Sequence, residues 1–208
     1  MKLKLKVCGM RDPQNIREVA ALHPDFMGFI FYEKSKRFVG NNFSISSEFP
    51  NKIKRVGVFV NEKTEVILKL VEQHRLDFVQ LHGGESVEKC ESLKKNKVGV
   101  IKVFSIDKDF DFDEVNDFIS CTDFFLFDTK SDGYGGSGLA FDWSMLNRYK
   151  ANVPFFLSGG LSPENIAQAL TLKTPNLFAL DINSGVEISP GLKNIDKIKI
   201  INTILNSH

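Results

Sequence analysis

No stretch of this chain approaches the roughly 20 consecutive apolar residues that a membrane-spanning helix requires. Its first residues, MKLKLKVCGM, alternate lysine with apolar side chains and do not lead into the apolar run of a signal peptide. Cysteine is scarce: Cys8, Cys90 and Cys121 are odd in number, far apart and without C-x-x-C spacing, which excludes a disulfide framework or a zinc knuckle and fits a reducing compartment. The four histidines, His23, His74, His82 and His208, are scattered and form no metal-ligand pattern. Neither sign of charge is in excess. With 27 basic and 26 acidic residues the net charge is +1, so no overall field favours nucleic acid or an anionic membrane. These absences predict a soluble, cytoplasmic protein with no metal, no nucleic-acid partner and no membrane partner, in which any basic site is local.

What is present is an alternation. Short apolar or β-branched runs, Leu3 to Val7, Phe26 to Phe31, Arg55 to Val60, Phe78 to Leu81, Val98 to Phe104, Phe124 to Phe127, Pro154 to Leu157 and Leu177 to Ile182, read as eight strands. Helical patterns lie between them near 13–22, 44–48, 62–74, 86–95, 112–119, 142–149 and 163–172, with a last one near 194–205. Asp12-Pro13 and Ser162-Pro163 look like helix starts, a capping side chain followed by a proline suited to the first helical position. Strands alternating with helices imply a parallel sheet. Eight such units in 208 residues leave 26 per unit, close to the lower limit for a (β/α)8 barrel. An open doubly wound sheet would offer a glycine fingerprint in its first turn, where CGMRDP has one glycine. The expected fold is therefore an α/β TIM barrel, one domain spanning residues 1–208.

Barrel chemistry sits at the C-terminal ends of the strands. There the sequence places Cys8, Asp128 and Asp181. Strand periodicity puts Lys6 on the same face as Cys8, one layer below, where an ammonium would favour the thiolate; the spacing alone rather favours a small buried thiol with an outward lysine. Asp128 ends the apolar run FFLF, as a proton donor or as an ordinary turn aspartate. Strands 1 and 6 lie three places apart on a ring of eight, so a base and an acid there would flank a substrate. The loops LSGGLSPEN (157–165) and DINSGVE (181–187) follow strands 7 and 8, where barrels often bind phosphate through backbone amides. Arg37 could fork onto a carboxylate or phosphate as its lysine neighbours could not, although composition alone favours a solvated basic loop. Gln80 and His82 share a face at the end of strand 4, and Phe29 and Phe31 are candidate walls for an aromatic ligand. Glycines between Asp132 and Gly138 suit a mobile lid or a plain connector, and Leu139 stands where a nucleotide-binding P-loop needs lysine.

Seven segments in order, KVCGMRD (6–12), GFIFYEKSKRFV (28–39), RVGVFVN (55–61), VQLHGGES (79–86), FDTKSDGYGGSGLAFDW (127–143), PFFLSGGLSPENI (154–166) and LDINSGVEISPGLKN (180–194), together resemble the phosphoribosylanthranilate isomerases of tryptophan biosynthesis. Glu33 and Lys36 depart from prolines common in that family, and Leu139 from a polar residue. The resemblance implies an Amadori rearrangement of N-(5-phosphoribosyl)anthranilate without cofactor or metal. It implies Asp128 as general acid, Cys8 as general base and Arg37 on the anthranilate carboxylate. Gly159, Gly160, Ser184 and Gly185 would serve the phosphate through backbone donors. Lys6, Gln80, His82 and Asp181 stand behind them, with Lys6 tuning Cys8 and Asp181 anchoring Lys6 or the substrate. By resemblance the protein is a monomer whose partner is a small phosphosugar. Two other readings stay open: the histidine-biosynthesis isomerase, whose base is an aspartate and whose sequence repeats in halves, and a non-catalytic phosphate-binding barrel.

Overall fold

In the computed structural model, which describes residues 2–129, 142–172 and 174–207, the strand-forming runs pair side by side and close on themselves. The strands are β1 (Lys4–Val7), β2 (Phe26–Ile30), β3 (Lys54–Phe59), β4 (Phe78–Leu81), β5 (Gly99–Ile106), β6 (Phe124–Thr129), β7 (Phe155–Leu157) and β8 (Leu177–Ile182), all parallel, in the closed order β1 to β8. Closure pairs β1 with β8 and sets Lys6 opposite Asp181. The expected (β/α)8 barrel is the fold. The residues from Asp132 to Leu139, and His208, lie outside the described set.

The helices follow the sequence less closely than the strands. Helix α1 (Pro13–Ala20) starts as expected, with the Asp12 carboxylate accepting from the Asn15 amide at 2.8 Å. Helix α2 (Thr64–His74) stops at Arg75, which adopts φ 50°, and α3 is Val87–Lys95. After β5 and β6 the return segments are 3₁₀ helices, Phe112–Cys121 and Trp143–Arg148, not α-helices. Economy of chain accounts for this: a 3₁₀ helix rises about 2.0 Å per residue against about 1.5 Å for an α-helix, so fewer residues cross the barrel wall.

Two expected helices change. Residues 44–48 form no helix: they run irregularly into a turn at 47–48, with the Ser46 carbonyl receiving the Phe49 amide at 3.1 Å. Ser162-Pro163 begins a turn instead of a helix: the Ser162 amide donates to the Asn165 side chain at 2.9 Å, and α4 covers only Ile166–Ala169. Between β8 and the last helix, α5 (Ile195–Asn206), the chain inserts an unanticipated antiparallel ribbon, β9 (Glu187–Ser189) and β10 (Leu192–Lys193).

Strand alternation sorts residues between the barrel interior and the helical shell. At the bottom, Phe26, Phe78, Phe124, Phe156 and Phe178 form an aromatic plug with ring centroids 4.7–6.2 Å apart. The same parity corrects the aromatic wall: Phe29 and Phe31 point outward, Phe29 against Phe43 and Phe49 and Phe31 stacked on Phe59. Ile30 and Tyr32 face the mouth instead.

Candidate active site

One pocket opens at the C-terminal end of the barrel, and Cys8, Arg37, Gln80, His82, Asp128, Gly159, Gly160, Asp181, Ser184 and Gly185 all line it, walled by Ile30, Tyr32, Val58, Val60 and Leu161. The expected site residues thus converge, with Lys6 directly beneath. Asp181 holds Lys6: the Lys6 ammonium bonds both Asp181 carboxylate oxygens at 2.9 Å, and the pair is buried. Burial pushes Lys6 down, but Asp181 and Cys8 outweigh it and hold the ammonium above the usual lysine range.

Cys8 directly follows β1, and its amide donates to the Ile182 carbonyl at 2.9 Å. Its neighbour on β2 is Gly28, where a β-carbon would lie 2.6 Å from the Cys8 sulfur, so the thiol occupies room that only glycine leaves. Burial pushes the thiol above its ordinary value. Lys6 and Lys193 pull it down, and Asp181 pushes it further up. The ammonium beside the sulfur thus pulls against its burial, and burial is the larger effect.

Across the mouth, Asp128 is 7% exposed. Its Oδ1 accepts the Thr129 amide at 2.9 Å, and its Oδ2 lies 3.4 Å from His82 Nε2. One oxygen is thus oriented by the adjoining backbone, and the other faces the histidine at the end of β4. The loop carrying His82 is braced from below: Glu85 accepts from the amides of Asn61 at 2.8 Å and Gly83 at 2.9 Å and pairs with the buried Lys102 at 3.0 Å. Gln80 is buried beside this site, and its side-chain oxygen has no protein partner among the described residues.

Gly159 and Gly160 have φ 87° and 68°. A β-carbon on Gly159 would run into the Thr129 hydroxyl, and one on Gly185 into the Leu161 carbonyl, so the loops after β7 and β8 interlock through glycine. The amides of Gly159, Gly160, Ser184 and Gly185 are spent on no protein acceptor among the described residues.

Sequence reasoning missed two residues here. Glu187 accepts from Arg37 Nε at 2.9 Å and Nη2 at 2.7 Å, and from Lys193 Nζ at 2.7 Å. Both sit in the segment 180–194 that carries the family resemblance. Only the ribbon, which strand patterning does not reveal, turns them toward Arg37. Among the described residues no group of three His, Cys, Asp or Glu stands where it could hold a metal ion.

A closed parallel barrel whose mouth gathers a thiol, a carboxyl group and unspent backbone amides around one pocket has the form of a (β/α)8 enzyme. The chain belongs to the N-(5'-phosphoribosyl)anthranilate isomerase family, whose sequence model, described as N-(5'phosphoribosyl)anthranilate (PRA) isomerase, matches residues 5–203. It is 49% identical over 199 residues to the N-(5'-phosphoribosyl)anthranilate isomerase of Parabacteroides distasonis, covering 94% of this chain and 90% of that one. It is 44% identical to the Phocaeicola vulgatus protein of the same name, over 91% of both chains. Among solved structures, phosphoribosyl anthranilate isomerase from Thermotoga maritima superposes with TM-score 0.83 at 35% identity, covering 99% of this chain and 100% of that one. A phosphoribosyl anthranilate isomerase in complex with reduced 1-(o-carboxyphenylamino)-1-deoxyribulose 5-phosphate superposes with TM-score 0.80 at 32% identity, again over 99% and 100% of the two chains. The family assignment sets aside the histidine-biosynthesis isomerase.

Proposed function

We propose that this chain converts N-(5-phosphoribosyl)anthranilate to 1-(2-carboxyphenylamino)-1-deoxyribulose 5-phosphate, a step of tryptophan biosynthesis, by general acid–base catalysis with Asp128 as acid and Cys8 as base. The observation that carries the assignment of roles is the sharing of one pocket by a thiol just after β1 and an oriented carboxyl on β6, strands three apart on the ring. Asp128 gives its proton to the furanose ring oxygen, and the ring opens to a protonated Schiff base. The iminium acidifies the C2 hydrogen, which the Cys8 thiolate removes. The resulting enolamine gains a proton at C1 and loses one from the C2 hydroxyl to become the ketone. A weak base suffices because the positive charge arrives first, and that charge also stabilises the thiolate beside it.

Arg37 takes the anthranilate carboxylate, and the amides of Gly159, Gly160, Ser184 and Gly185 take the phosphate, a placement supported by those amides having no protein acceptor among the described residues. No cofactor enters any step. The same reading has the enzyme working in the cytoplasm as a monomer, which sedimentation at micromolar concentration would check. Cys8→Ala and Asp128→Asn test the roles. Each lowers kcat by about 10² to 10⁴ with an unchanged fold, followed by the loss of substrate fluorescence on freshly made phosphoribosylanthranilate. Near-normal turnover in either variant removes that residue from its role.

A further inference from the structure

We propose that Glu187 and Lys193, on the ribbon after β8, are positioning residues for the isomerisation: they hold Arg37 so that its unengaged nitrogen meets the carboxylate of the substrate. The proposal rests on the reading of Arg37 as the carboxylate clamp. Arg37 stands on a loop, and a loop arginine loses much side-chain freedom when it is fixed. Here Glu187 fixes it. Nε donates to the two Glu187 oxygens at 2.9 and 3.1 Å and Nη2 donates at 2.7 Å, which sets the guanidinium plane and leaves Nη1 without a partner among the described residues. Arg37 and the pocket-facing residues Cys8 and Asn183 line the same cavity, so the freed edge belongs to the site.

Glu187 is held in turn. The Gly191 amide donates to it at 2.9 Å and Lys193 Nζ at 2.7 Å, while Lys193 also donates to the Asn183 side chain at 2.7 Å. A fully buried lysine is costly, and burial lowers Lys193 to about 8 against the pull of Glu187 and Cys8. The cost yields an arrangement of two cations on one carboxylate, which keeps a positive charge at this corner for an incoming anion. The corner is also joined to the base. Gly9, next to Cys8, has φ 74°, and a β-carbon there would meet Asn183 Oδ1 at 2.7 Å and Arg37 Cδ at 2.8 Å. The residue after Cys8 thus packs closely on Arg37 and on Asn183, which Lys193 of the ribbon holds at 2.7 Å.

The test compares two stable ligands by calorimetry: the reduced product analogue, and its phenylamino counterpart lacking the carboxylate. Glu187→Gln is expected to weaken the carboxylate ligand about tenfold or more, the loss of one charge-assisted contact, and to leave the counterpart within about twofold. Charge alone predicts the reverse, because removing an anion beside Arg37 raises the positive potential. Tighter or unchanged binding, or equal weakening of both ligands, overturns the proposal. If Glu187→Gln fails to fold, Glu187→Asp, which withdraws the carboxylate by one methylene, carries the same expectation. Arg37→Ala separates the two readings. Selective loss of the carboxylate ligand there without selective loss in Glu187→Gln overturns the positioning role alone, whereas equal loss of both ligands in Arg37→Ala overturns the clamp and the positioning role together.

Discussion

At neutral pH Cys8 holds its proton, since burial raises the thiol and Lys6 and Lys193 reverse only part of that rise. The proposed base would then work from a minor thiolate fraction, so kcat/KM should climb with pH beyond the ordinary thiol range. Alkylation of Cys8 by iodoacetamide should climb in parallel, and in the double variant Lys6→Met/Asp181→Asn its midpoint should move still higher. An unmoved midpoint would show that the Lys6–Asp181 pair as a whole does not favour the thiolate. The sign for stability is opposite. A thiol that titrates higher in the fold than in the unfolded chain binds more protons when native, so its contribution is lost as pH rises from the ordinary thiol value through the folded one. Gly28→Ala probes the same atom sterically, because its β-carbon would arrive 2.6 Å from the sulfur. Displacing a reacting group by about 1 Å costs on the order of a hundredfold in kcat, beside the roughly 1–3 kcal/mol of stability that overpacking a buried strand costs.

Among the elements, the interlocked loops after β7 and β8 are the most exacting. Gly159→Ala puts a side chain at φ 87° against Thr129, a strain of about 1–3 kcal/mol; urea melts should show that loss and steady-state kinetics a raised KM. These loops were legible in the sequence because glycine after a buried strand has few other uses. The strands were legible within two residues for the same sort of reason: Val56, Val58, Leu126 and Phe156 must be buried whatever the neighbours do. The segment 44–48 was not, since Phe43 and Phe49 reach Phe29 from turns as well as a helix would allow. Phe29 and Phe31 misled because apolar residues occupy both faces of β2, and only the closeness of Gly28 to Cys8 reveals which face is inside. The Arg37–Glu187 pair spans 150 positions. No local pattern encodes a partner so distant.

Over the whole molecule, the aromatic plug and the reactive mouth occupy opposite ends of the barrel, as stability and chemistry commonly do in this architecture. Phe156→Leu should therefore lower stability by about 1–2 kcal/mol while leaving kcat/KM within about twofold at 20 °C. A parallel drop in activity would mean that the plug communicates with the mouth. The seam between β1 and β8 has a different consequence. Lys6 and Asp181, 175 positions apart, meet only when the ring shuts, and that meeting sets the floor beneath Cys8. During refolding the loop that must close before this contact forms is nearly as long as the chain, which makes it among the slowest to gain. Enzymatic turnover then serves as a clock for the final stage of folding: a chain with seven strands assembled and the seam still open is already ordered to most spectroscopic probes, yet chemically silent.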